Sequence, residues 1–92
     1  MVVTDTHKYP DSSSCFNLNE NKLDKLPLKF GKVTGDFNCA FNKLTTLEGV
    51  PDYVGMNFYC NNNKLTSLEG SPEYVGWDFY CNNNKLETLE GI

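Results

Sequence analysis

The residues in this 92-residue chain best suited to nucleophilic or metal chemistry are four cysteines and one histidine. Cys39, Cys60 and Cys81 recur at intervals of 21 residues, Cys15 stands apart from that series, and His7 lies near the amino terminus. A structural zinc site needs four ligands converging on a tetrahedron. Ligands spread one per 21 residues, without any Cys-x-x-Cys pair, would form a line. Unligated cysteine packs as a small hydrophobe, so Cys39, Cys60 and Cys81 are expected in a core and no metal or cofactor is expected. There is no Cys-His pairing, no Ser-His-Asp set, no Gly-rich phosphate loop and no pair of buried carboxylates to suggest catalysis. The expectation is a protein that is not an enzyme.

The spacing itself is the stronger signal. The octapeptide FYCNNNKL occurs at Phe58–Leu65 and again at Phe79–Leu86. Aligned without gaps at a period of 21, the chain shows columns of Phe16, Phe37, Phe58 and Phe79, then Leu18, Cys39, Cys60 and Cys81. Asn21, Asn42, Asn63 and Asn84 follow, then Lys22, Lys43, Lys64 and Lys85, and two leucine columns ending at Leu86 and Leu89. A fixed period this long predicts a repeat solenoid. The division expected is a cap or arm over 1–15 and repeats over 16–92, three full and a partial fourth.

Each column has a physical reason. Phe58 and Cys60 are two apart, so a strand points both inward and turns Tyr59 and Asn61 out. Leu65 and Leu68 must fold back over the same core, which demands a bend where the asparagines sit. A buried Asn both donates to and accepts from the backbone groups that a bend leaves unpaired. Glu48-Gly49, Glu69-Gly70 and Glu90-Gly91 read as a second turn with glycine at positive φ. Pro51 and Pro72 then carry the chain back without helix. The fold expected is mainly β: one short parallel strand per repeat, an irregular convex side, and little or no α-helix.

The pattern Phe-x-Cys-x-x-Asn-x-Leu resembles the strand half of the leucine-rich repeat, with Phe and Cys at two leucine positions. The longer unit NNKLTSLEGSPEYVGWDFYC is similar to the short repeats carried by bacteriophages and some bacteria. The resemblance covers roughly residues 14–92. The first repeat departs from it: LPLKFGKVTGDF lacks the Glu-Gly turn, and Leu18 stands in the cysteine column. What the resemblance implies is a binding protein, and for a phage protein of this size an inhibitor or adaptor docked on a host protein, such as an anti-phage defence factor. Leucine-rich-repeat ubiquitin ligases of bacteria place their catalytic cysteine in a separate domain, which has no counterpart in these residues.

Stepping along the outward columns gives the candidate site. Asn17, Asn38, Tyr59 and Tyr80 lie between the inward Phe and Cys; Cys15, Asp36, Asn57 and Asp78 precede the Phe; Met56 and Trp77 come before those. Phe41 stands where the two later repeats have Asn62 and Asn83. Tyr59, Tyr80, Trp77, Phe41 and Met56, with Asp36, Asp78 and Asn57, therefore form the expected partner-binding surface, since aromatic anchors with a few charges make up binding hot spots. A ladder of tyrosines also stabilises a sheet by itself. Phe41 and Trp77, which depart from their columns, speak more for a partner.

Charge narrows the partners. Net charge is −4 and there is no arginine; residues 1–33 carry five lysines against four acids, residues 34–92 three against eight. Gripping phosphate backbones calls for the opposite balance, so nucleic acid is not the partner expected, and an acidic nucleic-acid mimic is one alternative. A self-associating structural element, forming a homodimer through an open carboxy-terminal strand, is another. No apolar run has the length of a signal peptide or a membrane span. A cytoplasmic setting with reduced cysteines is the expectation.

Overall fold

A computed structural model describes residues 15–87 of the chain. His7, Glu90-Gly91, Ile92 and all but the last residue of the expected cap at 1–15 lie outside that range. Among the described residues there is no helix, and every strand is parallel to its neighbours. Strands β1 (Phe16–Asn17), β3 (Phe37–Asn38), β5 (Phe58–Tyr59) and β7 (Phe79–Tyr80) form one sheet in that order. Phe16 pairs with Phe37, Phe37 with Phe58 and Phe58 with Phe79, so each unit sits on the previous one at the 21-residue register.

The expectation of one strand per unit with an irregular far side needs correction. A second parallel sheet runs beside the first, built from β2 (Lys32–Val33), β4 (Tyr53–Val54) and β6 (Tyr74–Val75). Its pairs are Lys32 with Tyr53 and Val33 with Val54, then Tyr53 with Tyr74 and Val54 with Val75. The physical cause is that Pro51 and Pro72 lie two residues before these strands, so no donor is missing from the ladder. The β-branched Val33 and Val54 are fully buried beneath it.

Glycine makes the corner between the sheets. The amides of Gly55 and Gly76 donate to the carbonyls of Val33 and Val54 at 2.8 and 2.9 Å. A Cβ on Gly55 would overlap the Thr34 carbonyl oxygen, and one on Gly76 the Gly55 carbonyl oxygen. No side chain fits at either position, because successive backbones touch there.

The core between the sheets and the leucine turns follows the columns read from the sequence. Phe37, Phe58, Cys39, Cys60, Leu44, Leu47, Leu65 and Leu68 are all fully buried. The Phe37 and Phe58 rings stack at 6.0 Å with 10° between planes. In the first unit, Phe30 occupies the column of Pro51 and Pro72 and drives its ring edge-on against Phe16 at 4.7 Å and Phe37 at 5.2 Å. In the same unit Leu28 stands where later units have Gly49 and Gly70. Those two glycines do turn at positive φ, 100° and 89°.

The asparagine column satisfies the bend as expected, and does so across units. Asn63 Oδ1 accepts the Leu44 amide at 2.9 Å, while its Nδ2 donates to the carbonyls of Cys39 and Cys60 at 3.0 and 3.1 Å. Asn42 and Asn84 repeat the pattern one unit below and above. Removing such a side chain would strand several buried backbone groups, each at a cost of about 1–3 kcal/mol.

Candidate functional site

Of the candidate residues, Tyr59 and Tyr80 lie in β5 and β7, Asp36, Asn57 and Asp78 directly precede strands of the four-stranded sheet, and Met56, Trp77 and Phe41 lie outside the strands. Tyr59 and Tyr80 are cross-strand partners, with ring centroids 4.8 Å apart and planes 4° from parallel. Tyr80 also donates through its hydroxyl to Asp78 Oδ2 at 3.3 Å. The Asp78 charge is the main cause that raises the Tyr80 phenol above its ordinary pKa, because a nearby anion disfavours a second negative charge. The pair is thus a stacked platform with one phenol hydroxyl held by a carboxylate.

The column before the phenylalanines is a hydrogen-bonded zipper. The Asp36 amide donates to Cys15 Sγ at 3.3 Å, the Asn57 amide to Asp36 Oδ1 at 2.8 Å, and the Asp78 amide to Asn57 Oδ1 at 3.0 Å. Asp36 and Asn57 therefore spend an oxygen holding the next unit in place. Asp78, last in the column, is exposed. Met56 is half-buried, with its amide on the Gly35 carbonyl and its carbonyl taking the Trp77 amide.

Trp77 and Phe41 are exposed, at 64% and 49%, as are Leu28, Tyr53, Tyr74 and Tyr80. The structure does not bring Trp77 and Phe41 together. Trp77 belongs to the column of Gly35 and Met56, ahead of the strands, whereas Phe41 follows its strand at the opposite end and two units away.

Phe41 is also strained. The column after the strands adopts left-handed backbone in every unit, with φ of 59° at Glu20, 57° at Phe41, 59° at Asn62 and 59° at Asn83. Asparagine tolerates this region; a bulky residue there is a conformational outlier. The amide of Phe41 is fixed on the Asn61 carbonyl at 3.0 Å, as the Asn62 amide is on that of Asn82, so the fold imposes the bend whatever the side chain.

The thiols divide by burial. Cys39 is pushed up to about 12 by burial, and burial drives Cys60 higher still, with the neighbouring thiols adding to it. Both are protonated at neutral pH and poor nucleophiles or metal ligands. Cys15 is exposed, and all four are free thiols. Among the described residues no cluster of His, Cys, Asp or Glu is arranged to hold a metal ion. No helix there is long and apolar enough to cross a membrane.

One surface escaped the sequence reading. Tyr53 and Tyr74 stack on the second sheet at 4.8 Å, 15° from parallel, and Lys32 Nζ lies 4.7 Å from the Tyr53 ring centre. Both tyrosines are exposed. Their signal was present as tyrosine directly ahead of valine in PDYVG and PEYVG, 21 residues apart. It signals an outward residue only once that segment is known to be a strand.

No protein-family model, curated protein or solved structure matches this chain. Its chemistry is accordingly legible only from its own residues: stacked aromatic platforms, a strained exposed ring, and two buried thiols, Cys39 and Cys60, held in their protonated form.

Proposed function

We propose that this chain is a leucine-rich-repeat-like solenoid that works without catalysis, by binding another protein through the outer face of its four-stranded sheet. The observation that carries this reading is Phe41. Its own repeat offers asparagine for the left-handed position, as at Asn62 and Asn83, yet a phenyl ring stands there, 49% exposed. Strain and exposure both cost stability, and strained residues cluster where function requires them. Trp77 adds a second exposed ring, and the flat Tyr59–Tyr80 pair offers a rigid surface between the two ends. In this reading Asp36, Asn57 and Met56 shape the platform, and exposed Asp78, which also accepts the Tyr80 hydroxyl, is the charge that orients a partner. On the resemblance to phage repeats, the partner is a host protein and the effect is steric inhibition or adaptor function in the cytoplasm.

The test is affinity capture from bacterial lysate with wild type, Phe41→Asn and Tyr59→Ala/Tyr80→Ala side by side. One host protein recovered with wild type and lost with both variants is the expected result. Loss of one central aromatic should weaken binding by about 2 kcal/mol. Capture indifferent to all three substitutions would remove this face from the function.

A further inference from the structure

The two ends of the stack are complementary to each other, in backbone and in charge. At every internal step the amides of one unit's Phe, Cys and left-handed residues donate upward: Phe58 to the Asp78 carbonyl at 2.8 Å, Cys60 to that of Tyr80 at 2.9 Å, and Asn62 to that of Asn82 at 2.9 Å. In the last unit the same three donors are the amides of Phe79, Cys81 and Asn83, and among the described residues they have no acceptor. At the other end, the equivalents of the accepting carbonyls are those of Cys15, Asn17 and Asn19, which have no donor among the described residues. Around the last unit the core is also incomplete, with Val75, Phe79, Cys81 and Leu86 only partly buried.

Charge follows the same axis. Residues 15–35 carry Lys22, Lys25, Lys29 and Lys32 against Glu20 and Asp24, while residues 67–87 carry Glu69, Glu73, Asp78 and Glu87 against Lys85 alone. Opposite charge favours the meeting of unlike ends and penalises that of two like ends.

We propose that copies of this chain associate head to tail, the β7 edge of one continuing into the β1 edge of the next at the 21-residue register. An unpaired parallel edge is a template for another strand. Because the two surfaces differ, the contact is heterologous and repeats from copy to copy instead of closing as a two-fold pair. Two β7 edges facing each other would set acidic end against acidic end. This inference uses the ends of the stack and not its aromatic face, so it stands or falls independently of the binding role above.

The test is sedimentation of residues 1–92 over a wide concentration range at low and high salt. Mass should rise with concentration beyond two copies, and the association constant should fall by about tenfold or more on adding salt, because the attracting charges are exposed. Two charge reversals locate the contact: Lys22→Glu/Lys25→Glu at the basic end and Glu69→Lys/Glu87→Lys at the acidic end, all four residues being exposed. Each variant alone should associate weakly with itself, and an equimolar mixture should recover assembly. Thermal melts at low concentration should show both folded as wild type. A monomer at every concentration would overturn the proposal. So would association that ignores the basic-end variant, which would mean pairing of like ends.

Discussion

At the scale of the residue, Phe41 and Cys39 show opposite ways of departing from ordinary behaviour. Phe41 holds φ at 57° because the Asn61 carbonyl anchors its amide, while its side chain stays 49% exposed. Replacing it with the asparagine of the neighbouring units should raise stability by about 1 kcal/mol while weakening partner capture. A urea titration of Phe41→Asn beside the capture experiment checks this; a destabilised variant would show that the ring serves the fold. Cys39 is raised from the ordinary thiol value of 9.0 to about 12 by burial. A raised value in the folded state favours the neutral form. Its contribution is therefore fully present below 9.0, and is lost as pH climbs from there through about 12, where the unfolded thiol ionises first. Unfolding free energy measured at neutral pH and near pH 10 should fall more for wild type than for Cys39→Ala.

At the scale of the element, short strands are held by what joins them. Each strand is two residues long, so the ladder relies on the asparagine column, the Asp36–Asn57 zipper and the glycine corners to keep register. The corner is the least forgiving of these. Gly76→Ala places a methyl group on the Gly55 carbonyl, and backbone cannot yield as a flexible side chain can. The expected cost is about 1–3 kcal/mol, read by urea denaturation. Tyr74→Ala should cost less, since that ring is exposed and loses only its stack on Tyr53. Equal losses would mean that the second sheet is held by its tyrosines and not by its corner.

At the scale of the whole molecule, strand pairing among the described residues runs from each unit to the next. Stability in such a stack is a sum of neighbour terms, so the units flanked on both sides should open last. Amide exchange followed by NMR should show the strongest protection at Cys39, Cys60, Leu44 and Leu65, whose amides or side chains lie within the stack. Cys81 and Asn83 should exchange fastest at low protein concentration. If head-to-tail assembly forms, those two amides should gain protection as concentration rises, and the middle units should change little. Uniform protection from first unit to last would instead indicate a single cooperative block.

The 21-residue period, the inward Phe and Cys columns, the bend asparagines and the positive-φ glycines were all determined by the sequence alone. The physical reason is that they are identities repeated at one spacing, and a repeated identity needs the same environment each time. Gly49, Gly70 and Asn63 could be assigned because each does one thing that few other residues do. Tertiary structure decided what depends on a neighbour's backbone. The strand at Tyr53–Val54 exists because Lys32–Val33 and Tyr74–Val75 lie beside it in register; alone, two residues carry no strand signal. Asp36 and Asn57 turn out to brace the next unit because amides come within reach of their oxygens. The strain at Phe41 comes from a bend that its column enforces, and the wide separation of Phe41 from Trp77 from the direction in which the units stack. Spacing along a chain names equivalent residues, but only the stacked backbone sets their angles, their partners and their distance apart.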